Sequence, residues 1–159
     1  MYTSGMRRSM HPSLLAILIF VITLGTYAAT MPMSITLEDA GLFQMVCYQG
    51  GLAHPPGYPL FTLACRALVV SPEIMNGNLV SALFGAFTVV VFFFLLLSII
   101  RSSVVAMSAA LAYAFTATFW AQSIIIEVYS LAAFLLFLCW YALDRFVQHK
   151  REVDWFLAC

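Results

Sequence analysis

Charged residues are so sparse along this chain that they leave four long apolar stretches, and these predict its main elements. Residues 14–29 carry no Asp, Glu, Lys or Arg, and softer residues continue to 33. Residues 79–100 form the clearest run; as a helix they rise about 33 Å, enough for a hydrocarbon core of about 30 Å. Residues 104–143 are interrupted by one charge, Glu127. A single helix of that length reaches about 60 Å, twice the core thickness, so the segment must fold back. A mid-membrane carboxylate costs about 2.5–3.5 kcal/mol on insertion scales, which puts Glu127 at or near the turn. The hairpin apex then falls at 118–127, with Trp120 as an interfacial anchor. The predicted spans are 13–33, 76–100, 103–119 and 126–145, around a loop at 34–75.

That loop is too long for a simple connection and carries its own signals. Thr36-Leu37-Glu38-Asp39 has the [ST]-x-x-[DE] form of a capping box. It predicts a short helix to about Tyr48, stopped by Gly50-Gly51. The apolar residues Leu42, Phe43, Met45 and Val46 predict that this helix lies along the membrane surface. His54-Pro55-Pro56-Gly57-Tyr58-Pro59 cannot be helical, because its prolines remove three backbone donors. A stiff, largely extended bend is expected, holding His54 and Tyr58 in fixed directions. Pro59 suits the first turn of a second short helix over 60–70, and Ser71-Pro72 should end it and cap the next. The fold class is therefore all-α: a polytopic transmembrane bundle of about four spans with two juxtamembrane helices, as one domain over 1–159.

Composition sharpens this. Of 159 residues, 64% are hydrophobic and 9% charged, against about 25% charged in soluble domains. Mean hydropathy is +0.99. Net charge is zero with no basic run, so no nucleic-acid partner is expected; membrane lipids are. Arg7, Arg8, Arg101, Arg145, Lys150 and Arg151 share one side of a four-span topology, and only Arg66 lies opposite. By the positive-inside rule both termini are cytoplasmic and the 34–75 loop faces outward. Span one also has a basic n-region and a loose small-x-small site near Thr26-Tyr27-Ala28, but its length favours an uncleaved anchor. Trp155 begins what reads as a new apolar segment at the chain's end, so an N-terminal fragment of a longer protein is expected.

Candidate chemistry gathers on the outer face. Glu38 and Asp39 stand at a helix N-terminus, where the dipole favours their ionised forms, and a partly desolvated carboxylate can serve as a general base. Arg66 is the outer cation, suited to a phosphate or to snorkelling. His54 can donate to a phosphate or sugar oxygen, and Tyr58 and Trp120 can stack on a sugar ring. Glu127, a charge between spans, is a substrate-facing candidate. Asn78 reads as a helix-start residue, and Ser81, Ala82, Gly85 and Ala86 as a packing seam. Cys47 and Cys65 lie on one side and can pair, though spacing alone does not establish a bridge. No metal-ligand spacing, Walker loop or dinucleotide fingerprint is present.

Asp39-Ala40-Gly41, then Gly51-Leu52-Ala53-His54-Pro55-Pro56-Gly57-Tyr58-Pro59-Leu60-Phe61, resembles the first outer loop of a GT-C membrane glycosyltransferase family. That family includes the transmembrane O-mannosyltransferases acting on plexin-type domains. Trp120-Ala121-Gln122-Ser123 and Glu127-Val128-Tyr129-Ser130-Leu131 are similar to its second outer loop. Leu42 departs from the pattern, which carries Glu there, while Glu38 supplies an acid just before Asp39. Family members have many more spans.

The resemblance implies the N-terminal part of a GT-C fold. It implies transfer of a sugar, mannose among the candidates, from a polyprenyl- or dolichyl-phosphate donor to an acceptor hydroxyl on a protein or glycan. Asp39 is the general base, inverting the anomeric carbon; Glu38, His54, Tyr58, Arg66 and Glu127 are donor- or substrate-binding candidates. No cofactor is expected, and the metal requirement is left open. The bacterial inner membrane is expected ahead of the endoplasmic reticulum. A non-catalytic membrane module is the alternative, and a small transporter ranks last for want of charges inside the spans.

Overall fold

The computed structural model describes residues 10–36, 39–69, 71 and 73–149. Glu38, Pro72, Arg7, Arg8, Lys150, Arg151 and the apolar segment from Trp155 lie outside the described residues. Among the described residues there are seven helices and no strand: α1 (Pro12–Thr30), α2 (Ala40–Gln49), α3 (Pro59–Leu68), α4 (Ile74–Ile100), α5 (Ser103–Ala114), α6 (Ala117–Ser123) and α7 (Tyr129–His149). Three of them, α1, α4 and α7, are long and apolar enough to cross a membrane, and α5 with α6 makes a fourth candidate.

Helix α4 is the axis of the fold and touches each of the other six. Small residues allow the close approach. Ala106, Ala110 and Ala114 recur every fourth residue on α5 and are fully buried against Leu15, Ile19, Val89 and Phe93. Gly85 on α4 is tighter still: a Cβ there would lie 2.9 Å from Ser123 Cβ and 3.1 Å from Tyr27 Cε2. With lipid outside, such packing rather than water exclusion drives helix association.

The third span is not the straight helix expected over 103–119. It breaks after Ala114, and α6 turns away by 68°. Helix ends leave carbonyls without intrahelical partners, and an apolar bundle tolerates that only where side chains supply donors. They do so here. The buried Tyr27 hydroxyl donates to Ala114 O at 2.7 Å, and Thr116 Oγ1 donates to Tyr113 O at 2.9 Å. Trp120 does not stand as a free anchor; its indole N–H donates to Thr30 Oγ1 at 3.1 Å, tying α6 to the end of α1.

At the N-terminal end of α4, a second core joins α2 and α3 to the bundle through Phe43, Cys47, Phe61, Cys65, Val80, Ile126 and Leu131. Phe43 and Val46 are buried within the protein, so α2 does not lay its whole apolar side on a membrane surface; Met45 remains half exposed. Cys47 and Cys65 form a disulfide with Cα atoms 5.4 Å apart, stapling α2 to α3.

Candidate functional site

The site begins where α2 begins. The expected capping box is absent: α2 starts at Ala40 and its N-cap is Asp39, whose carboxylate makes no capping bond. Freed from that duty, the carboxylate turns to His54, fifteen residues on, and Asp39 Oδ2 lies 2.9 Å from His54 Nε2. Among the described residues Asp39 Oδ1 carries no hydrogen bond, and about half of the side chain is exposed. At its other end α2 stops at Gly50, which has φ 83° as a glycine stop requires.

His54 is aimed by the proline elbow. The elbow is a closed turn, not an extended bend: Pro55–Pro56 is cis, and Gly57 N–H donates to His54 O at 2.8 Å. Gly57 and Tyr58 both take positive φ, 89° and 43°, which reverses the chain so that Pro59 can open α3. For Tyr58 the left-handed conformation carries a cost of about 1–2 kcal/mol. Aromatic packing offsets it: the Phe43 ring lies 5.7 Å from Tyr58 and 6.3 Å from His54, and His54 and Tyr58 meet edge to face at 5.7 Å. The buried Phe43 is therefore the platform on which both loop residues rest.

Each nitrogen of His54 faces an oxygen, since Nδ1 lies 3.0 Å from Pro55 O. A neutral imidazole can donate from one nitrogen only, whereas the imidazolium donates from both. The Pro55 carbonyl, then the Asp39 carboxylate, with a smaller attraction from Glu127, therefore hold His54 above the usual imidazole range.

Glu127 is not a solvated turn residue. It is 3% exposed, and α4 grips its backbone. Ser81 Oγ accepts from Glu127 N–H at 3.0 Å and lies 3.1 Å from Glu127 O. One turn earlier, Asn78 Oδ1 accepts from Ile126 N–H at 2.9 Å, and its Nδ2 donates to Pro32 O at 3.0 Å. Asn78 is thus a buried clamp, not a helix-start residue, and Ser81 does more than pack. Between them they fix the loop bearing Glu127 and the segment at Pro32 that follows α1. The signal was available in the sequence: two polar residues, three apart, facing inward on an apolar span.

Gln44, also buried, ties α2 to the start of α4 by donating to Glu73 O at 2.9 Å. Gly77 leaves room for it, as a Cβ there would lie 1.9 Å from Gln44 Oε1.

The structure brings Asp39, His54 and Tyr58 together, with Glu127 near enough to act on His54 electrostatically. It does not bring in Arg66. That guanidinium packs against Gly50, where a Cβ would lie 1.8 Å from Nη1. Gly50 is at the far end of α2 from Asp39, about 15 Å along the helix axis. Among the described residues no group of three His, Cys, Asp or Glu is placed to hold a metal ion.

Residues 39–157, from Asp39 through the bundle, match the family described as the protein O-mannosyl-transferase TMEM260 N-terminal domain. The mouse protein O-mannosyl-transferase TMEM260 is 32% identical over 120 residues, covering 73% of this chain and 17% of its own length. The Dictyostelium discoideum protein O-mannosyl-transferase tmem260 is 28% identical over 149 residues, covering 85% of this chain and 18% of its own length. The chain therefore spans less than a fifth of either relative. No solved structure matches. A membrane bundle whose match starts at the acid of the Asp39–His54 pair belongs to the family of the TMEM260 N-terminal domain.

Proposed function

We propose that this chain supplies the base-bearing part of a membrane glycosyltransferase that moves a sugar, mannose by the names of its relatives, to an acceptor hydroxyl. The donor in this reading is a polyprenyl- or dolichyl-phosphate sugar, with its tail in the bilayer and its head group at the Asp39 end. That end is extracytoplasmic, facing a periplasm or a lumen, with both termini on the opposite side. Both relatives are eukaryotic, which gives the bacterial inner membrane no support.

The observation that carries the reading is the Asp39–His54 contact of 2.9 Å at the exposed rim of an otherwise apolar protein. A hydroxyl is a poor nucleophile until a base removes its proton. His54 engages Oδ2 and holds the Asp39 carboxylate in orientation. Oδ1 then takes the acceptor's proton as its oxygen attacks the anomeric carbon. The bond from that carbon to phosphate oxygen breaks, its electron pair leaves with the lipid phosphate, and configuration inverts. His54, as imidazolium, is the cation in contact with the base, and its charge favours the departing phosphate. Arg66 would act from the far end of α2, on lipid head groups or a more distant phosphate. Tyr58 supplies a ring face beside His54, Glu127 adds to the field at His54, and Glu38 remains a substrate-binding candidate from the sequence.

The test is transfer from dolichyl-phosphate mannose to a Ser/Thr peptide by the full chain in lipid nanodiscs. Asp39→Asn should abolish it, and unchanged transfer would remove Asp39 from the mechanism. The small share of its relatives that the chain covers favours a second reading, a module that works within a larger assembly. In that case transfer appears only after the remaining part of a relative is supplied.

A further inference from the structure

A separate open cavity lies between the α5–α6 elbow and the first turns of α7. Its volume is about 550 Å³, inside the range of about 300–1,000 Å³ found for small-molecule sites. Its walls include Tyr113, Thr116, Phe119, Gln122, Tyr129 and Ser130. Two features point to a ligand. Ser130 is 1% exposed, and among the described residues its hydroxyl has no hydrogen-bond partner. Gln122 is half-buried, and its Oε1 is covered and without a hydrogen-bond partner among the described residues. Buried polar atoms are almost always satisfied, so two of them lining one cavity mark where a guest supplies the missing bonds.

The lining also defines the guest. Among the described residues it contains hydroxyls, an amide and aromatic rings, and no charged side chain. A phosphate would find no cation there, and an alkyl chain would leave both polar atoms unpaired at a cost. A ligand that carries several hydroxyls on a ring with apolar faces meets both needs: its hydroxyls reach Ser130 and Gln122, and its C–H faces pack on Tyr113 and Phe119. The break between α5 and α6 makes this space. A straight third span would carry Phe119 and Gln122 onward along its axis instead of folding them over α7.

We propose that this cavity is a binding site for a neutral hexose ring, set apart from the Asp39–His54 pair. The inference deepens the glycosyltransferase reading and rests on it only for the sugar's identity. The ring is that of a sugar already on the acceptor, because the donor's ring must lie at Asp39 to be attacked and its phosphate would find no cation here. The probe is methyl α-mannopyranoside, followed by saturation-transfer NMR on the full chain in lipid nanodiscs, with glycerol as a control for non-specific hydroxyl contacts.

Wild-type protein should show mannoside signals in the millimolar range. Ser130→Ala and Gln122→Leu should each weaken them at least tenfold while keeping a wild-type unfolding midpoint. Asp39→Asn should bind as wild type. A mannosylated peptide should displace the mannoside, and displacement by dolichyl-phosphate mannose but not by that peptide overturns the assignment to the acceptor. Equal binding by wild type, Ser130→Ala and Gln122→Leu overturns the proposal, as does a mannoside signal no stronger than that of glycerol. These results are distinguishable from failure of the transfer reading: absent transfer with intact, Ser130-dependent binding removes the catalytic account and leaves the sugar site standing.

Discussion

Asn78→Leu tests whether the clamp on α4 holds the site together. The replacement keeps the branched shape, adds some bulk, and removes the amide's donor and acceptor. Two bonds disappear, to Pro32 O at 3.0 Å and from Ile126 N–H at 2.9 Å, in a place where Asn78 is 2% and Ile126 1% exposed. Each group orphaned in a dry interior costs about 1–3 kcal/mol, which gives an upper range of about 2–6 kcal/mol. Hydrogen bonds between membrane helices average nearer 0.6 kcal/mol, which gives a lower bound of about 1.2 kcal/mol for the pair. The clamp sits near one end of α4, where water can reach relaxed backbone, so the expected loss is about 2 kcal/mol, roughly thirtyfold in the folding equilibrium. The assay is reversible denaturant titration in mixed micelles, followed by circular dichroism, with transfer activity measured in parallel. Activity should fall further than the folded fraction, because the Pro32 and Ile126 backbones both lead to acids of the site. A change below about 0.5 kcal/mol would refute the assignment of these bonds as structural, since surface substitutions scatter that much.

Four further outcomes follow from the same geometry. The imidazole of His54 should titrate above 6.5 by NMR and shift down in Asp39→Asn, because the partner that favours its charged form is gone. Its folded pKa is raised, so the stability the pair adds is fully present below the unfolded value and is lost as pH rises through the folded one; a stability profile flat across that interval would refute the pairing. Replacing Cys47 and Cys65 with Ser should cost about 3 kcal/mol, as expected for a closed loop of 18 residues, and mass spectrometry of the non-reduced chain should show the bridge directly. Gly85→Ala sets a helix-propensity gain of about 1 kcal/mol against overpacking of about 1–3 kcal/mol on Ser123 and Tyr27; a lowered unfolding midpoint is expected, and a raised one would mean that the α1–α4–α6 contact is loose. Phe43→Ala should cost about 3–5 kcal/mol and weaken the His54–Asp39 coupling seen by NMR, because the ring beneath the elbow is gone.

Elements that depend only on neighbours along the chain were legible in the residues. Apolar runs gave α1, α4 and α7 within a few residues of their ends, because span length is set by bilayer thickness and helix rise. Pro59 and Gly50 marked their helix ends, because a fixed or positive φ is a local property. Tertiary structure decided the rest. The helix break after Ala114 depends on a hydroxyl 87 residues away, on Tyr27, so the apolar run through 115–119 gave no sign of it. Glu127 is buried because Ser81, 46 residues earlier, takes its backbone, whereas hydropathy alone assigns a carboxylate to water. Arg66 is kept from Asp39 by the length of α2. Asp39 and His54 meet because a closed turn, a buried ring and a disulfide fold the elbow back over the N-terminus of α2, and no local pattern encodes a contact made by all three.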